Sequence, residues 1–142
     1  MKIALDNGHV DIALRAYNNL AVALPAEENE RKLDCYERGL KLAKKAGHVE
    51  SIAWFEGQLA SMYFSNGNME KAITLAEEND ALSRKISNLF NLSNSTLLLG
   101  CVYHVLGDLK KGEQYLKESL GISQKINNLQ SISNSYYWLG WS

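Results

Sequence analysis

The chain repeats itself every 40 residues, and this period constrains its fold more than any other feature of the sequence. Three similar segments begin at Lys44, Arg84 and Gln124, each 40 residues after the one before, and read KKAGHVES, RKISNLFN and QKINNLQS. A fixed period of about 20 to 50 residues is typical of repeat architectures, in which each unit is one supersecondary motif. We therefore expect one structural unit stacked several times.

Each unit is predicted to be two helices joined by tight turns. Apolar residues between 49 and 64 fall at the spacing of one buried helix face, at Ile52, Phe55, Leu59, Met62 and Tyr63. Gly67 is placed to take the left-handed conformation that ends a helix, and Asn68 to cap the next one. Gly107 and Asp108 repeat this turn. A second turn type, containing Gly47, Ser87 or Asn127, closes each unit.

The prediction is therefore an all-α chain of antiparallel helix pairs, stacked as a right-handed α-solenoid. Residues 1–142 form a single repeat domain. Residues 1–8 are the end of a preceding second helix, 9–47 the first repeat, 48–87 the second, 88–127 the third, and 128–142 the first helix of a fourth. Because the chain would begin and end inside helix pairs, we expect a fragment of a longer array.

A motif of apolar and small residues recurs in the first helix of each unit. Its copies are Tyr17-x2-Leu20-Ala21, Leu59-Ala60-x2-Tyr63, Leu99-Gly100-x2-Tyr103 and Tyr136-x2-Leu139-Gly140. The small residues are expected to let the second helix approach the backbone of the first: Ala21, Ala60, Gly100 and Gly140. The second helix supplies its own small residue, followed four positions later by an apolar one, at Ala72 and Ala76 and again at Gly112 and Leu116.

These motifs resemble the tetratricopeptide repeat. The usual unit of that family has about 34 residues, whereas this one has 40, and the proline that commonly closes a unit is absent. Both departures resemble the long variety found in kinesin light chains, in G-protein-linked polarity scaffolds and in the sensor regions of bacterial and archaeal regulators. The resemblance implies a non-enzymatic scaffold that binds a protein or peptide partner. An alternative is a regulatory or oligomerisation segment of a larger signalling protein, such as a transcription regulator or a nucleotide cyclase.

In stacked helix pairs the first helices line a concave groove, and their remaining inward positions are candidate contacts. Those positions are Arg15, Asn18, Val22, Trp54, Gly57, Ser61, Phe64, Phe90, Asn94, Leu97, Cys101, His104, Asn134, Tyr137 and Trp141. The ten candidate peptide-binding residues are Arg15, Asn18, Trp54, Ser61, Phe64, Asn94, Leu97, His104, Asn134 and Tyr137. Amides can bond a peptide backbone while aromatic rings hold its side chains.

Two alternatives to ligand contact stay open for the aromatic positions. Trp54 and Phe64 are equally expected to pack against neighbouring helices. Tyr137 and Trp141 are expected to be covered by a following unit. The face offers no lysine, so it does not match the carboxylate clamp of chaperone-binding members of the family.

Composition argues against several other functions. Fifteen basic and 16 acidic side chains give a net charge of −1, which does not favour nucleic-acid binding. The longest uncharged run, between residues 86 and 108, is too polar for a membrane span. No signal peptide is recognised, and two cysteines make no disulfide framework, so we expect a cytoplasmic protein.

The residue types that carry catalysis or bind cofactors are not arranged in a known motif. The glycines are scattered one per turn, unlike a phosphate-binding loop. Cys101 and His104 could offer two metal ligands from one helix, but a zinc site needs more. We therefore expect no enzymatic activity, no cofactor and no metal.

The apolar segment from Tyr136 to Trp141 is expected to drive self-association, because a patch of this kind rarely stays exposed to water. Replacing Trp138 and Trp141 with Ser should then make the protein more monomeric. Light scattering behind size exclusion, over a series of concentrations, measures this shift. An unchanged mass distribution would contradict the idea of an uncovered C-terminal helix.

Overall fold

The computed structural model describes residues 7–140, and every regular element in that range is a helix. The α-helices are α1 (Asn7–Ala23), α2 (Asn29–Ala46), α3 (Val49–Ser65), α4 (Met69–Lys85), α5 (Leu89–Val105), α6 (Leu109–Ile126) and α7 (Leu129–Leu139). A short 3₁₀ helix, Ala26–Glu28, precedes α2. The predicted all-α class and the order of the helices are confirmed.

The N-terminal boundary differs from the prediction. Asn7 and Gly8 were assigned to a preceding helix, yet they form the start of α1. The rest of that predicted helix, residues 1–6, lies outside the described residues, as does the groove candidate Trp141.

Polar side chains cap the helices at the predicted turns. Asn68 accepts a hydrogen bond from the backbone N–H of Lys71 at 3.2 Å, and Asp108 accepts one from that of Lys111 at 3.2 Å. Asn88 and Asn128 cap α5 and α7 in the same way. Each cap satisfies a backbone donor that the first helical turn leaves without a partner.

Left-handed residues end the helices, as predicted, and alternate between two kinds of turn. Gly67 and Gly107 have φ values of 83° and 91° before the second helix of a pair. Before the next first helix, Ser87 and Asn127 both have a φ of 56°. Few residues other than glycine tolerate this region, and asparagine does so more readily than most. The 40-residue period is thus built from two turn geometries used in alternation.

The helices form two compact units, Met1–Leu59 and Ala60–Ser142. In the first unit α1 packs on α2, and Tyr36 of α2 lies against Phe55 of α3, with ring centroids 6.2 Å apart. In the second unit α4 packs on α5, α5 on α6, and α7 on both α5 and α6. Consecutive helices therefore pack against each other within each unit.

Close approach of α5 and α6 depends on two glycines that face each other. A Cβ atom placed on Gly100 would lie 2.7 Å from Cγ of Leu116, and one on Gly112 would lie 3.0 Å from the carbonyl oxygen of Gly100. Both distances are shorter than ordinary van der Waals contact. The predicted role of these small residues is confirmed.

The same role was predicted for three other positions, with mixed results. Ala21 and Ala60 are fully buried, as expected. The prediction is wrong for Gly140, which is exposed and takes a left-handed φ of 74° at the C-terminus of α7. Its permissive backbone ends this helix, so it does not serve as a packing surface.

The buried face of the second helices recurs at the 40-residue period. In α4 this face is Ala72, Ala76, Asn79 and Ser83, and in α6 it is Gly112, Leu116, Ser119 and Ser123. Half of these side chains are polar. The hydroxyl of Ser119 donates to the carbonyl oxygen of Ser93 at 2.7 Å, which joins α6 to α5. The second unit is thus held together by small polar contacts as well as by apolar packing.

Replacing Gly100 with Leu should destabilise the protein by about 1–3 kcal/mol, because the new side chain overlaps Leu116 and the Gly112 backbone. Thermal and urea unfolding measure this change. Gly121 is the matched control, since it also lies in a helix but a Cβ there would meet no atom within 4 Å. Gly121→Ala should stabilise the protein by about 0.5–1 kcal/mol through helix propensity. Equal effects at the two positions would contradict the α5–α6 register.

Candidate functional site

Aromatic side chains from three first helices gather around Trp138 in the second unit. The Trp138 ring centroid lies 5.3 Å from that of His104, 6.3 Å from that of Phe64 and 6.2 Å from that of Tyr137. All three pairs are edge-to-face, the arrangement that the charge distribution of aromatic rings favours. We call Phe64, His104, Tyr137 and Trp138 the aromatic cluster.

Three members of this cluster were predicted as groove residues, and Trp138 was missed. The sequence pattern places Trp138 in the apolar segment from Tyr136 to Trp141. Its equivalent one repeat earlier is Leu98, which is 9% exposed. The 40-residue lag could therefore have indicated that Trp138 packs against a neighbouring helix.

The members of the cluster differ in their access to solvent. Tyr137 is 78% exposed, whereas Phe64, His104 and Trp138 are half-buried. The ring of Phe64 contacts Trp138 of α7, so one side of Phe64 packs against another helix, as the packing alternative for this residue predicts. Phe64, His104 and Trp138 thus form a packed group of three rings beside the accessible ring of Tyr137.

Two amides occupy equivalent positions on α5 and α7. Asn94 is half-buried, and its Oδ1 accepts a hydrogen bond from the buried hydroxyl of Ser131 at 2.9 Å. Asn134, one repeat later, is exposed. Leu97 on α5 is half-buried, and Ser61 on α3 is exposed. The contact from α7 therefore orients the Asn94 side chain, while Asn134 faces solvent.

Cys101 does not belong to the accessible face, although its helical position placed it there. Its side chain is buried, 5% exposed, and desolvation raises its pKa to about 12. At neutral pH it is a protonated thiol, which is a poor nucleophile and a poor metal ligand. Within residues 7–140, no group of three His, Cys, Asp or Glu side chains could hold a metal ion.

In the first unit two of the predicted residues contact each other. The indole N–H of Trp54 donates to Oδ1 of Asn18 at 2.9 Å, and both side chains are half-buried. The indole N–H of Trp54 is therefore bonded to a neighbouring helix, as the packing alternative for this residue predicts. Arg15 and Val22 are exposed on α1.

The first unit also has an open pocket of about 400 Å³ between α1 and α2, which the sequence did not predict. It is lined by Leu20, Glu30, Arg31, Asp34 and Cys35. Two of its three charged lining residues are paired locally, since Arg31 bonds Glu28 at 2.5 Å and Arg38 bonds Asp34 at 2.8 Å.

Comparisons with known proteins identify no family for this chain. No protein-family model matches the chain, and no curated protein matches it. No helix in the described range has both the length and the apolar character needed to cross a bilayer. The resemblance to tetratricopeptide repeats thus depends on the residues of this chain alone.

Cys101 should react slowly with a disulfide reagent such as DTNB in the folded protein. A pKa of about 12 in place of 9 lowers the thiolate fraction at pH 8 by roughly 1,000-fold. The Cys35→Ala variant isolates this thiol, and absorbance of the released thiolate follows its labelling. The same variant in concentrated urea is the control and should label rapidly. Comparable rates in the two conditions would show that Cys101 is accessible and ionised.

Proposed function

We propose that this chain is a non-enzymatic interaction module of the tetratricopeptide-repeat type. Its helix pairs stack as a right-handed solenoid, and its first helices present a groove to a peptide or helix of a partner protein. The observation that supports this proposal is the aromatic cluster of the second unit, with Asn94 and Asn134 on the same helices.

The cluster has the chemistry of a binding hot spot. Aromatic rings contribute most to affinity where they are packed by neighbours, because little side-chain entropy remains to be lost on binding. Trp138 is already held by Phe64 and His104, as their ring contacts show. Tyr137, with 78% of its surface exposed, offers a ring that a ligand can cover.

The amides supply the polar part of recognition. A bound peptide brings backbone N–H and C=O groups that need partners once water is excluded. An asparagine can donate and accept at once, so it suits either group. Asn134 is exposed and Asn94 is oriented by Ser131, so both fit this role.

A role in oligomerisation, as a segment of a larger signalling protein, is the second candidate. Two apolar side chains of α7 favour it, since Leu129 is 75% and Tyr137 78% exposed. Apolar groups on one short helix are a common starting point for association between copies. The concentration series proposed for the Trp138 and Trp141 variant addresses this candidate.

Selection from a phage-displayed library of random 12-residue peptides tests the peptide-binding proposal. Enriched peptides should bind the purified protein in isothermal titration calorimetry. Tyr137→Ala should weaken that binding at least tenfold, or about 1.4 kcal/mol, because the exposed ring can be removed without opening the core. Trp138→Ala should have a larger effect, and circular dichroism checks that this variant folds.

Leu109→Ala is the matched control, because Leu109 is 57% exposed but lies on α6, a second helix. It should bind the peptides as the parent protein does. Equal affinity for the parent and Tyr137→Ala would place the binding surface elsewhere, and a library that yields no binder would contradict the proposal.

A further inference from the structure

The two kinds of helix in the second unit differ sharply in charge. Helices α5 and α7 contain no Asp, Glu, Lys or Arg, and residues 60–65 of α3 contain none either. The charged residues lie on α4, on α6 and at the cap of α6. They are Glu70, Lys71, Glu77, Glu78, Asp80, Arg84, Lys85, Asp108, Lys110, Lys111, Glu113, Lys117, Glu118 and Lys125. Within the second unit, the aromatic cluster thus belongs to helical segments without Asp, Glu, Lys or Arg, and His104 is the one side chain of the cluster that can become a cation.

Several of the nearby charges are engaged by partners within the same unit. Arg84 bonds both Asp80 and Glu118, which raises the pKa of its guanidinium and ties α4 to α6. Lys117 pairs with Glu113 at 2.8 Å on α6. These pairs lie within or between α4 and α6, so the fields of the paired charges are largely cancelled before they reach a ligand on the first helices.

Two lysines are held by aromatic rings at equivalent positions. Lys71 lies 5.1 Å from the ring centroid of Tyr63, and Lys111 lies 4.4 Å from that of Tyr103. A ring face attracts a cation and holds its position. Both lysines are therefore placed beside tyrosines that lie outside the aromatic cluster.

A charged ligand group finds no Asp, Glu, Lys or Arg on α5 or α7 to pair with. Moving a carboxylate or an ammonium from water to a surface of aromatic rings and amides costs free energy that hydrogen bonds to neutral amides offset only in part. Neutral amides and apolar side chains carry no such cost. Electrostatic complementarity therefore selects against both signs of charge.

We infer that the aromatic cluster takes an uncharged peptide segment of a partner protein, with aromatic or branched aliphatic side chains. This inference depends on the proposed peptide-binding function and specifies its ligand. Acidic peptides and nucleic acids need cations, and α5 and α7 carry no Lys or Arg to provide them. Binding should be nearly independent of salt, because no ion pair forms in the complex.

The peptides enriched by the library selection test the inference directly. Their central positions should be depleted of Asp, Glu, Lys and Arg relative to the starting library. Kd should change less than twofold between about 50 and 500 mM NaCl, a range over which exposed ion pairs are strongly screened. Replacing a central Gln of a bound peptide by Glu, or a central Met by Lys, should weaken binding at least tenfold.

A substitution on the protein gives the complementary test. Asn134 is exposed, so Asn134→Lys and Asn134→Gln should both fold. Asn134→Lys should recover binding of the Glu-containing peptide and make it sensitive to salt. Asn134→Gln is the matched control and should keep the preference for uncharged peptides.

The outcomes separate this inference from the proposed function. Enrichment of charged peptides with salt-dependent Kd would overturn the inference and leave peptide binding intact. The absence of any enriched peptide would overturn both. A dimer that Tyr137→Ala dissociates, in the absence of peptide, would assign the surface to a second copy of the chain and overturn the inference.

Discussion

The close approach of α5 and α6 is the contact on which the second unit depends. Gly100 and Gly112 leave so little room that an added Cβ would lie within 3.0 Å of the opposing helix. At this distance the hydroxyl of Ser119 reaches the Ser93 carbonyl, and Leu116 is buried to 1% exposure. Larger residues would separate the helices and break these contacts together. The glycines thus set the position of α5, which carries His104 and Asn94 of the candidate site.

Hydrogen bonds from small side chains extend this arrangement to α7. The Asn128 amide donates to the Ser93 hydroxyl at 3.4 Å, and the Ser131 hydroxyl bonds Asn94 at 2.9 Å. Both hydrogen bonds join α5 to the N-terminal end of α7. The hydroxyls of Ser123 on α6 and Ser135 on α7 are buried without a hydrogen-bond partner among the described residues, which costs free energy. Contacts to Trp138 by Phe64 and His104 therefore contribute to holding α7 as well as to shaping the site.

The sequence predicted the helices, their caps and their turns because these depend on residues close together in the chain. Asn68, Asp108 and Gly67 act locally, so their roles can be read from their immediate neighbours. The candidate site was only partly predictable, since it depends on side-chain directions after packing. Cys101 shares a helical face with His104 yet is buried, and Trp138 turns toward two rings instead of outward. Gly140 matches the packing motif, but it ends a helix because its backbone takes a left-handed conformation.

Segregation of charge connects stability to the proposed recognition. In the second unit, α4 and α6 carry the charged residues and pair some of them with each other, as Arg84 and Glu118 show. Helices α5 and α7 are then free of the requirement to supply solvating charge, so their exposed positions can hold aromatic rings and amides. A single cation on α7 would alter this balance, because it would attract acidic ligands and weaken the preference for neutral ones. The proposed specificity therefore depends on the absence of Asp, Glu, Lys and Arg from α5 and α7 as much as on the aromatic rings and amides that these helices expose.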